Sequence, residues 1–446
     1  MLDFNKHMYS PKSIAPLVTF RILFGAIMTI SIFRFYYHGW ITELYVDPSY
    51  YFTFYGFDWI KPLGNTGMHL AFLTLFLAAI AIAVGAFYRF SITLFFLVFT
   101  YIELIDKTNY LNHYYFVSIV SFLLIWLPAG RKFSLDCLRQ PSNIMNQVPA
   151  WNINVLKLQL AFVYIFAGIA KLTPFWIIEA MPLKLWLPSL SSTPIIGGLL
   201  QYEWMAYFFS WSGALYDLSI VFFLLSSRCR PLAYLAVVLF HIMTALLFQI
   251  GMFPYIMILC TTIFFSGTFH EKMLNKLGAS FANTKTESSY PYLRDIKEKY
   301  ILTFLVVFFC IQILLPFRYL LYPGDLYWTE QGYRFSWRVM LMEKAGHATF
   351  LIKDTGSEKV DFVKNYDYLS PQQEKMMSTQ ADMILQYAHH LADVYKEKGF
   401  VNPQVNVQSK VTLNGRRSKT YIDPAVDLSK IQRGWRHKDW ILPLNE

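Results

Sequence analysis

The stretch Tyr164-Ile165-Phe166-Ala167-Gly168-Ile169-Ala170-Lys171-Leu172 closes an apolar segment, 153–172, of the length needed to cross a bilayer. At about 3.6 residues per turn, Tyr164, Ala167, Gly168 and Lys171 share one face of a helix. That face offers a phenol, then a gap left by two small residues, then an amine. An ionisable side chain on a membrane helix is costly to keep and is by default a functional hypothesis. The competing reading is a lysine that snorkels to the interface and anchors the helix end.

Outward from this segment the chain keeps the same character. Of its 446 residues 55% are hydrophobic, 18% aromatic and only 15% charged, against roughly 25% charged in soluble domains. Nine stretches read as spans: 17–37, 68–88, 90–105, 114–128, 153–172, 204–226, 231–250, 253–267 and 300–321. Three of them (90–105, 114–128 and 253–267) are short, and are expected either to borrow flanking residues or to lie partly buried among other helices. The amino terminus shows no cleavable signal pattern, so its first span is expected to stay as an anchor. The net charge of +10 has no Lys/Arg-rich run among the aromatics, so no nucleic-acid partner is expected. Cys137, Cys229, Cys260 and Cys310 form no CxxC pair and read as packing residues.

The connecting charges give an orientation. With the amino terminus in the cytoplasm, the inner segments hold fourteen lysines and arginines: Lys6, Lys12, Arg89, Arg131, Lys132, Arg139, Arg228, Arg230, Lys272, Lys276, Lys285, Arg294, Lys297 and Lys299. The outer loops hold Lys61, Lys107 and Lys184, with Lys171 at a helix end. That asymmetry is the one expected of inner loops, and it places the carboxy-terminal part in the periplasm, cell exterior or organelle lumen.

Residues 322–446 are a different material, with seventeen Lys/Arg against fifteen Asp/Glu. His347-Ala-Thr-Phe-Leu-Ile352 and Val405-Asn-Val-Gln-Ser-Lys-Val-Thr-Leu413 alternate as strands do, and Asn414-Gly415 is a hairpin signal. Ser370-Pro371 opens a helical stretch to about Lys398, stopped by Gly399. The fold class is therefore a polytopic α-helical membrane domain of about nine spans, 1–321, followed by a small α+β extramembrane domain, 322–446. The loop 173–203 is expected to include a helix lying in the interface.

Four constellations carry candidate chemistry. Asp106-Lys107-Thr108-Asn109-Tyr110-Leu111-Asn112-His113 joins the third and fourth spans. Its histidine can shuttle a proton or donate to a developing anion; the plain alternative is a loop of capping residues. Lys171 is a candidate base. Phe240-His241, followed by Gln249, Gly251, Met252, Phe253 and Pro254, puts a histidine where it must face helices or a cavity. Gln331-Gly332-Tyr333-Arg334-Phe335-Ser336-Trp337-Arg338-Val339-Met340 reads by itself as an interfacial aromatic belt. No phosphate loop, HExxH spacing or serine elbow is present, and no metal is expected.

In this order the constellations resemble the vitamin K-dependent γ-glutamyl carboxylase family. The resemblance runs through nearly the whole chain. It is most specific at Asp106-Lys107-Thr108…Asn112-His113, at Tyr164…Ala167-Gly168…Lys171-Leu172, at Phe240-His241…Phe248…Ile250-Gly251-Met252-Phe253 and at Gly332-Tyr333…Ser336-Trp337. It implies an enzyme in which a lysine deprotonates a reduced naphthoquinone. The quinolate then reacts with O2, and the oxygenated base takes a proton from the γ-carbon of a peptide glutamate. The carbanion adds CO2 and the quinone leaves as its epoxide. Lys171 stands at the family's base and His113 at its carboxylation histidine. Asn112, Tyr164, His241, Met252, Trp337 and Met340 fall on residues that shape the quinone and substrate site.

The implied cofactor is reduced vitamin K of the menaquinol or phylloquinol type, with O2 and CO2 as co-substrates. The implied partners are the lipid bilayer and a glutamate-containing peptide. Departures are plain. The chain is shorter than the animal enzymes, lacks the cysteines that tie their outer domain to the membrane part, and has Ala170 where they carry a second lysine. It therefore looks like a bacterial relative. Two other readings stay open from the sequence: a quinol epoxidase without carboxylation, and a non-catalytic membrane protein that binds a lipid or a peptide.

Overall fold

The computed structural model describes residues 7–278, 296–357 and 359–444. Lys6, Lys285 and Arg294, counted above as inner charges, lie outside the described residues, as does the side chain of Lys297. The membrane part is built from α1 (Ala15–Tyr37), α2 (Gly64–Val84), α3 (Tyr88–Ile105), α4 (Asn112–Trp126), α5 (Ala150–Ala170), α6 (Glu203–Leu225), α7 (Arg230–Leu247), α8 (Phe253–Thr261), α9 (Gly267–Lys276) and α10 (Ile296–Leu314). Seven helices among the described residues are long and apolar enough to cross a membrane: α1, α2, α3, α5, α6, α7, and α10 with its extension to Leu321.

Two of the three short expected spans fall outside those seven. α4 has 15 residues, as many as the expected 114–128, and reaches about 22 Å, short of a hydrocarbon core of about 30 Å. It still leads from Asn112, which holds Arg338 O, to the opposite face, where Asp136 binds the start of α3. Its apolar side chains are instead buried by neighbours, Phe116, Val120, Leu123 and Leu124 nearly completely. The stretch 253–267 is broken: the helix from Phe253 ends at Phe264, and α9 leaves it at 115°. Ser266 starts the new helix by accepting a hydrogen bond from Phe269 N. Counted as one bent span, this pair makes eight, and the shorter apolar helix α4 would be the ninth.

The helices meet through small residues, as membrane helices do where no water is left to expel. A Cβ on Gly25 of α1 would stand 2.5 Å from Ala83 N of α2. A Cβ on Gly168 of α5 would stand 2.7 Å from Leu218 Cγ and 2.9 Å from Leu218 N of α6. The gap expected beside Gly168 is therefore filled by Leu218. The same segment carries a second lysine, Lys157, whose Nζ lies 5.9 Å from the Phe264 ring centroid. Among the cysteines, Cys137 and Cys260 are buried while Cys229 and Cys310 are exposed, so the packing role fits only the first two.

One face of the bundle is knit by β1 (Pro11–Ser13) pairing antiparallel with β2 (Gln147–Pro149) and by Asp136, which accepts from Phe87 N and Tyr88 N. The other face carries the tail. There β3 (Lys344–Asp354), β4 (Val360–Phe362), β5 (Pro403–Leu413) and β6 (Lys419–Thr420) form an antiparallel sheet in the order β4-β3-β5-β6. Phe350 stands opposite Val407 in the register. Both are buried, because alternate residues of β3 and β5 face the helix layer. Asn414 and Gly415 follow β5 with φ of 50° and 69°, the left-handed pair a tight hairpin needs.

The helical stretch expected from Ser370 to about Lys398 is present as two helices, α11 (Pro371–Met377) and α12 (Ala381–Glu397). The capping box of Ser370 and Gln373 opens the first. Ser378 and Thr379 then turn their hydroxyls back to Lys375 O and Met376 O, competing with the backbone ladder, and the chain breaks. Gly399, φ 89°, ends the second helix as expected. Loop 173–203 forms three short helices, Pro174–Ile177, Leu183–Ser189 and Gly197–Leu200. Tail and bundle are joined by polar bonds: Tyr327 Oη donates to Ala170 O at 3.0 Å, Arg416 pairs with Glu179 at 3.0 Å, and Gln373 Nε2 donates to Tyr50 O and to Asp106 Oδ2.

Candidate functional site

The strap 330–340 runs between bundle and tail, and much of it is in an unusual backbone conformation. Glu330, Phe335, Trp337 and Met340 have φ of 54°, 60°, 58° and 55°. Such left-handed non-glycine residues cost about 1–3 kcal/mol each and persist only where the surroundings hold them. Here Asn112 Nδ2 donates to Arg338 O at 2.8 Å, Phe335 N donates to Tyr110 Oη at 2.8 Å, and Arg318 Nη2 donates to Arg334 O at 2.6 Å. Trp337, 1% exposed, packs its ring against Tyr115 with centroids 5.0 Å apart. Gly332 is required: a Cβ there would stand 2.8 Å from Tyr319 Cα.

The strap separates two chambers. The first, about 110 Å³, is apolar and aromatic, with Trp176, Phe240, Phe248, Phe253, Met257 and Trp337 around it. Lys171 reaches into it from the end of α5. Its Nζ lies 2.6 Å from Asp217 Oδ2 of α6, with side chains 10% and 7% exposed, and 5.6 Å from the Trp176 ring centroid. The snorkelling alternative does not describe this lysine, whose amine turns inward to a carboxylate. Tyr164, about two turns earlier on α5, lines the same chamber. Its hydroxyl is 3.2 Å from His241 Nε2 and 3.2 Å from Thr261 Oγ1.

The second chamber, about 490 Å³, is polar and strongly basic. Asn112, His113, Gln249, Gly251 and Met252 line it, with Lys107, Arg334, Arg338 and Lys344. His113 is 6% exposed, its ring 5.9 Å from that of Phe253. Gly251 lies over it: a Cβ there would come within 3.8 Å of His113 Cε1. Ile250, Phe253, Val339 and Met340 line both chambers, so the partition between Lys171 and His113 is apolar.

The expected site residues are thus divided. Lys171, Tyr164, His241 and Trp337 line the apolar chamber, His113, Asn112 and Met252 the polar one, and Met340 both. Asn112 has its amide committed, donating to Arg338 O and accepting from Tyr110 Oη at 3.1 Å; it holds the strap.

Beneath the polar chamber the Asp106 carboxylate accepts from Thr108 N, Thr108 Oγ1 and Gln373 Nε2. Lys107 Nζ is 2.9 Å from Asp382 Oδ2, and Arg334 Nη1 is 2.8 Å from the same oxygen. Burial pushes the Lys107 amine down to about 8, with Asp382 opposing the shift. Burial would raise the Asp382 carboxyl, but Arg334 and Lys107 beside it hold it well below the usual carboxylate range.

Sequence reasoning missed Asp217, although an aspartate inside the apolar helix 203–225 was itself a signal. It also missed Thr261, Trp176 and Asp382. The arrangement offers a buried amine with its own proton acceptor in an apolar, water-poor chamber, and across an apolar partition a histidine in a cationic chamber that suits an anionic group.

The family model of the HTTM domain matches residues 9–269. That of the vitamin K-dependent gamma-carboxylase, lumenal domain, matches residues 297–446. Lys171, Asp217, His113 and His241 fall in the first match, and the strap in the second. No solved structure matches the chain.

Proposed function

The chain belongs to the vitamin K-dependent γ-carboxylase family, and from that premise we propose that it is a multi-pass membrane enzyme coupling oxygenation of a reduced naphthoquinone to carboxylation of glutamate in a peptide. The observation that carries the reading is the buried Lys171–Asp217 pair, at 2.6 Å, in an aromatic chamber that shares its wall with the chamber of His113.

The residues fit a quinone ring. Trp176, Phe248, Phe253 and Trp337 give an apolar slot, and Tyr164, His241 and Lys171 give polar groups that can meet ring oxygens. Leu172, next to Lys171 in sequence, is exposed apolar surface against which an isoprenoid tail can lie. The bound hydroquinone, with O2, supplies the strong base that the γ-proton requires. Lys171 accepts a hydroxyl proton from it, having passed its own to Asp217 Oδ2. Tyr164, fixed by His241 and Thr261, orients the ring. Val339, Met340, Ile250 and Phe253 keep water of the polar chamber from the apolar one, which matters because the γ-proton, on the carbon bonded to the carboxylate, is very weakly acidic and water would quench the strong base that removes it.

The polar chamber receives the glutamate, whose γ-carboxylate is drawn by its cations, and His113 is the group placed to hold CO2 or the new carboxylate. With inner loops rich in lysine and arginine, the amino terminus is cytoplasmic. On that reading membrane domain 1–321 presents its site to the periplasm, exterior or lumen, where domain 322–446 lies. A menaquinol suits a bacterial relative.

The test is purified full-length protein in detergent, supplied with reduced menaquinone, O2, labelled CO2 and a glutamate peptide. Quinone epoxide and labelled peptide should appear together. Epoxide with no label in any of a set of glutamate peptides would reduce the enzyme to a quinol epoxidase, and neither product from folded protein would reject the reading.

A further inference from the structure

A second cationic recess, about 140 Å³, adjoins the polar chamber, and the two share Lys107, Glu330 and Arg334 as a common wall. Five cations line it: Lys107, Arg318, Arg334, Arg433 and Lys438. The acids in its lining are Glu330 and Asp382, and both are already taken. Lys344 pairs with Glu330 at 3.0 Å, and Lys107 and Arg334 share Asp382. Arg433 is neutralised from outside the recess by Asp58 at 2.6 Å. Among the described residues, Arg318 and Lys438 have no carboxylate within ion-pair distance, Arg318 spending one nitrogen on Arg334 O. Partly buried cations left without an anion are costly, and they mark a place where an anion is expected. The rim is aromatic, with Tyr55 at 48% and Trp435 at 64% exposure.

We propose that this recess is an exosite for a second carboxylate of the peptide substrate, an acidic residue flanking the glutamate that enters the polar chamber. The proposal rests on the carboxylase reading for the identity of the peptide. Its own support is the shared wall: a chain with one carboxylate among the cations of the polar chamber passes over Lys107 and Arg334 directly into a recess with two unspent charges. The aromatic rim suits an extended peptide lying across it. Burial lowers the Lys438 amine below its ordinary value, a cost that a bound carboxylate offsets. The enzyme would then favour acidic segments over isolated glutamates.

The experiment is binding of fluorescent peptides to full-length protein in neutral detergent, with no quinol present. One peptide carries a glutamate flanked by alanines, the other the same glutamate flanked by aspartates, and each is titrated onto wild type, Lys438→Gln and Lys438→Glu. The acidic peptide should bind wild type about tenfold more tightly, the weight of one good charge-assisted hydrogen bond. Lys438→Gln should remove most of that advantage and Lys438→Glu should reverse it, with the alanine-flanked peptide unchanged. Equal affinity of the two peptides for wild type, or equal weakening of both by the substitutions, would overturn the exosite. If the peptides are not distinguished but phosphatidylglycerol binds wild type and not Lys438→Glu, the recess is a lipid headgroup site and the proposal is wrong. Because binding is read without turnover, a positive result with no CO2 fixation would leave the exosite standing and remove the carboxylase reading.

Discussion

Lys171 Nζ and Asp217 Oδ2 stand 2.6 Å apart on neighbouring apolar helices, each side chain a tenth exposed or less. The bond turns the lysine away from the headgroups that an amine at a helix end would otherwise seek. It also gives the amine a proton acceptor that does not depend on water. Two charges withdrawn from water together are tolerable where either alone is not.

Asp217→Asn keeps the shape of the side chain and removes the acceptor. Epoxide formation should fall roughly 100- to 10,000-fold, the usual range for loss of a proton-transfer partner, and Asp217→Glu should recover part of it. An Asp217→Asn protein with unchanged epoxide kcat would show that the carboxylate only supports the fold.

His113 lies across the apolar partition from Lys171, so the two are expected to fail differently. His113→Ala should abolish fixation of labelled CO2 while epoxide formation continues, and the ratio of epoxide to carboxylated product should rise at least tenfold. Equal loss of both products would place the histidine in the quinone half of the reaction.

Gly168 is where α5 and α6 touch. A methyl group there would press on Leu218 Cγ at 2.7 Å and on its backbone N at 2.9 Å, and a backbone atom cannot swing aside. Gly168→Ala should therefore destabilise by about 1–3 kcal/mol, the cost of overpacking. It should also lower epoxidation, because Lys171 and Asp217 ride on the two helices that would be forced apart. Thermal unfolding in detergent measures the first effect; an unshifted midpoint would contradict the packing account.

Hydropathy alone marked the long spans, because lipid admits few alternatives. It marked α4 as short but did not show that the chain turns by 115° after Phe264, since a broken span and a straight one have the same composition. The motif positions of Lys171, His113, Tyr164 and His241 were legible by resemblance, but their division between two chambers was not. Asp217 was in plain view as a charge inside a span. Asp382 was not, for its partner Lys107 is 275 residues away and nothing local connects them. The left-handed conformations of Phe335, Trp337 and Met340 carry no mark in the sequence, whereas that of Gly332 does.

The Asp382 cluster sets an acid limit. Its carboxyl, ordinarily at 3.8, is held well below that value in the folded protein. A depressed carboxyl contributes stability that is fully present above the unfolded value and is lost as pH falls through the folded one. From about pH 7 to about pH 4 this group should therefore leave stability flat, with its share lost only below. Asp382→Asn removes the pH-dependent share and leaves buried Lys107 without a carboxylate, costing about 1–3 kcal/mol near neutrality. Unfolding midpoints of the two proteins, measured from neutral to acid pH, should converge; parallel curves would contradict the assignment.

The most direct test of the coupled reaction counts both products in one tube. Wild type and Lys171→Ala, each shown to be folded in detergent, receive reduced menaquinone, O2, labelled CO2 and a glutamate peptide. Epoxide and labelled γ-carboxyglutamate should form in nearly equal amounts with wild type, and neither above background with Lys171→Ala. Wild-type levels of epoxide from Lys171→Ala would contradict this, because the base would then lie elsewhere.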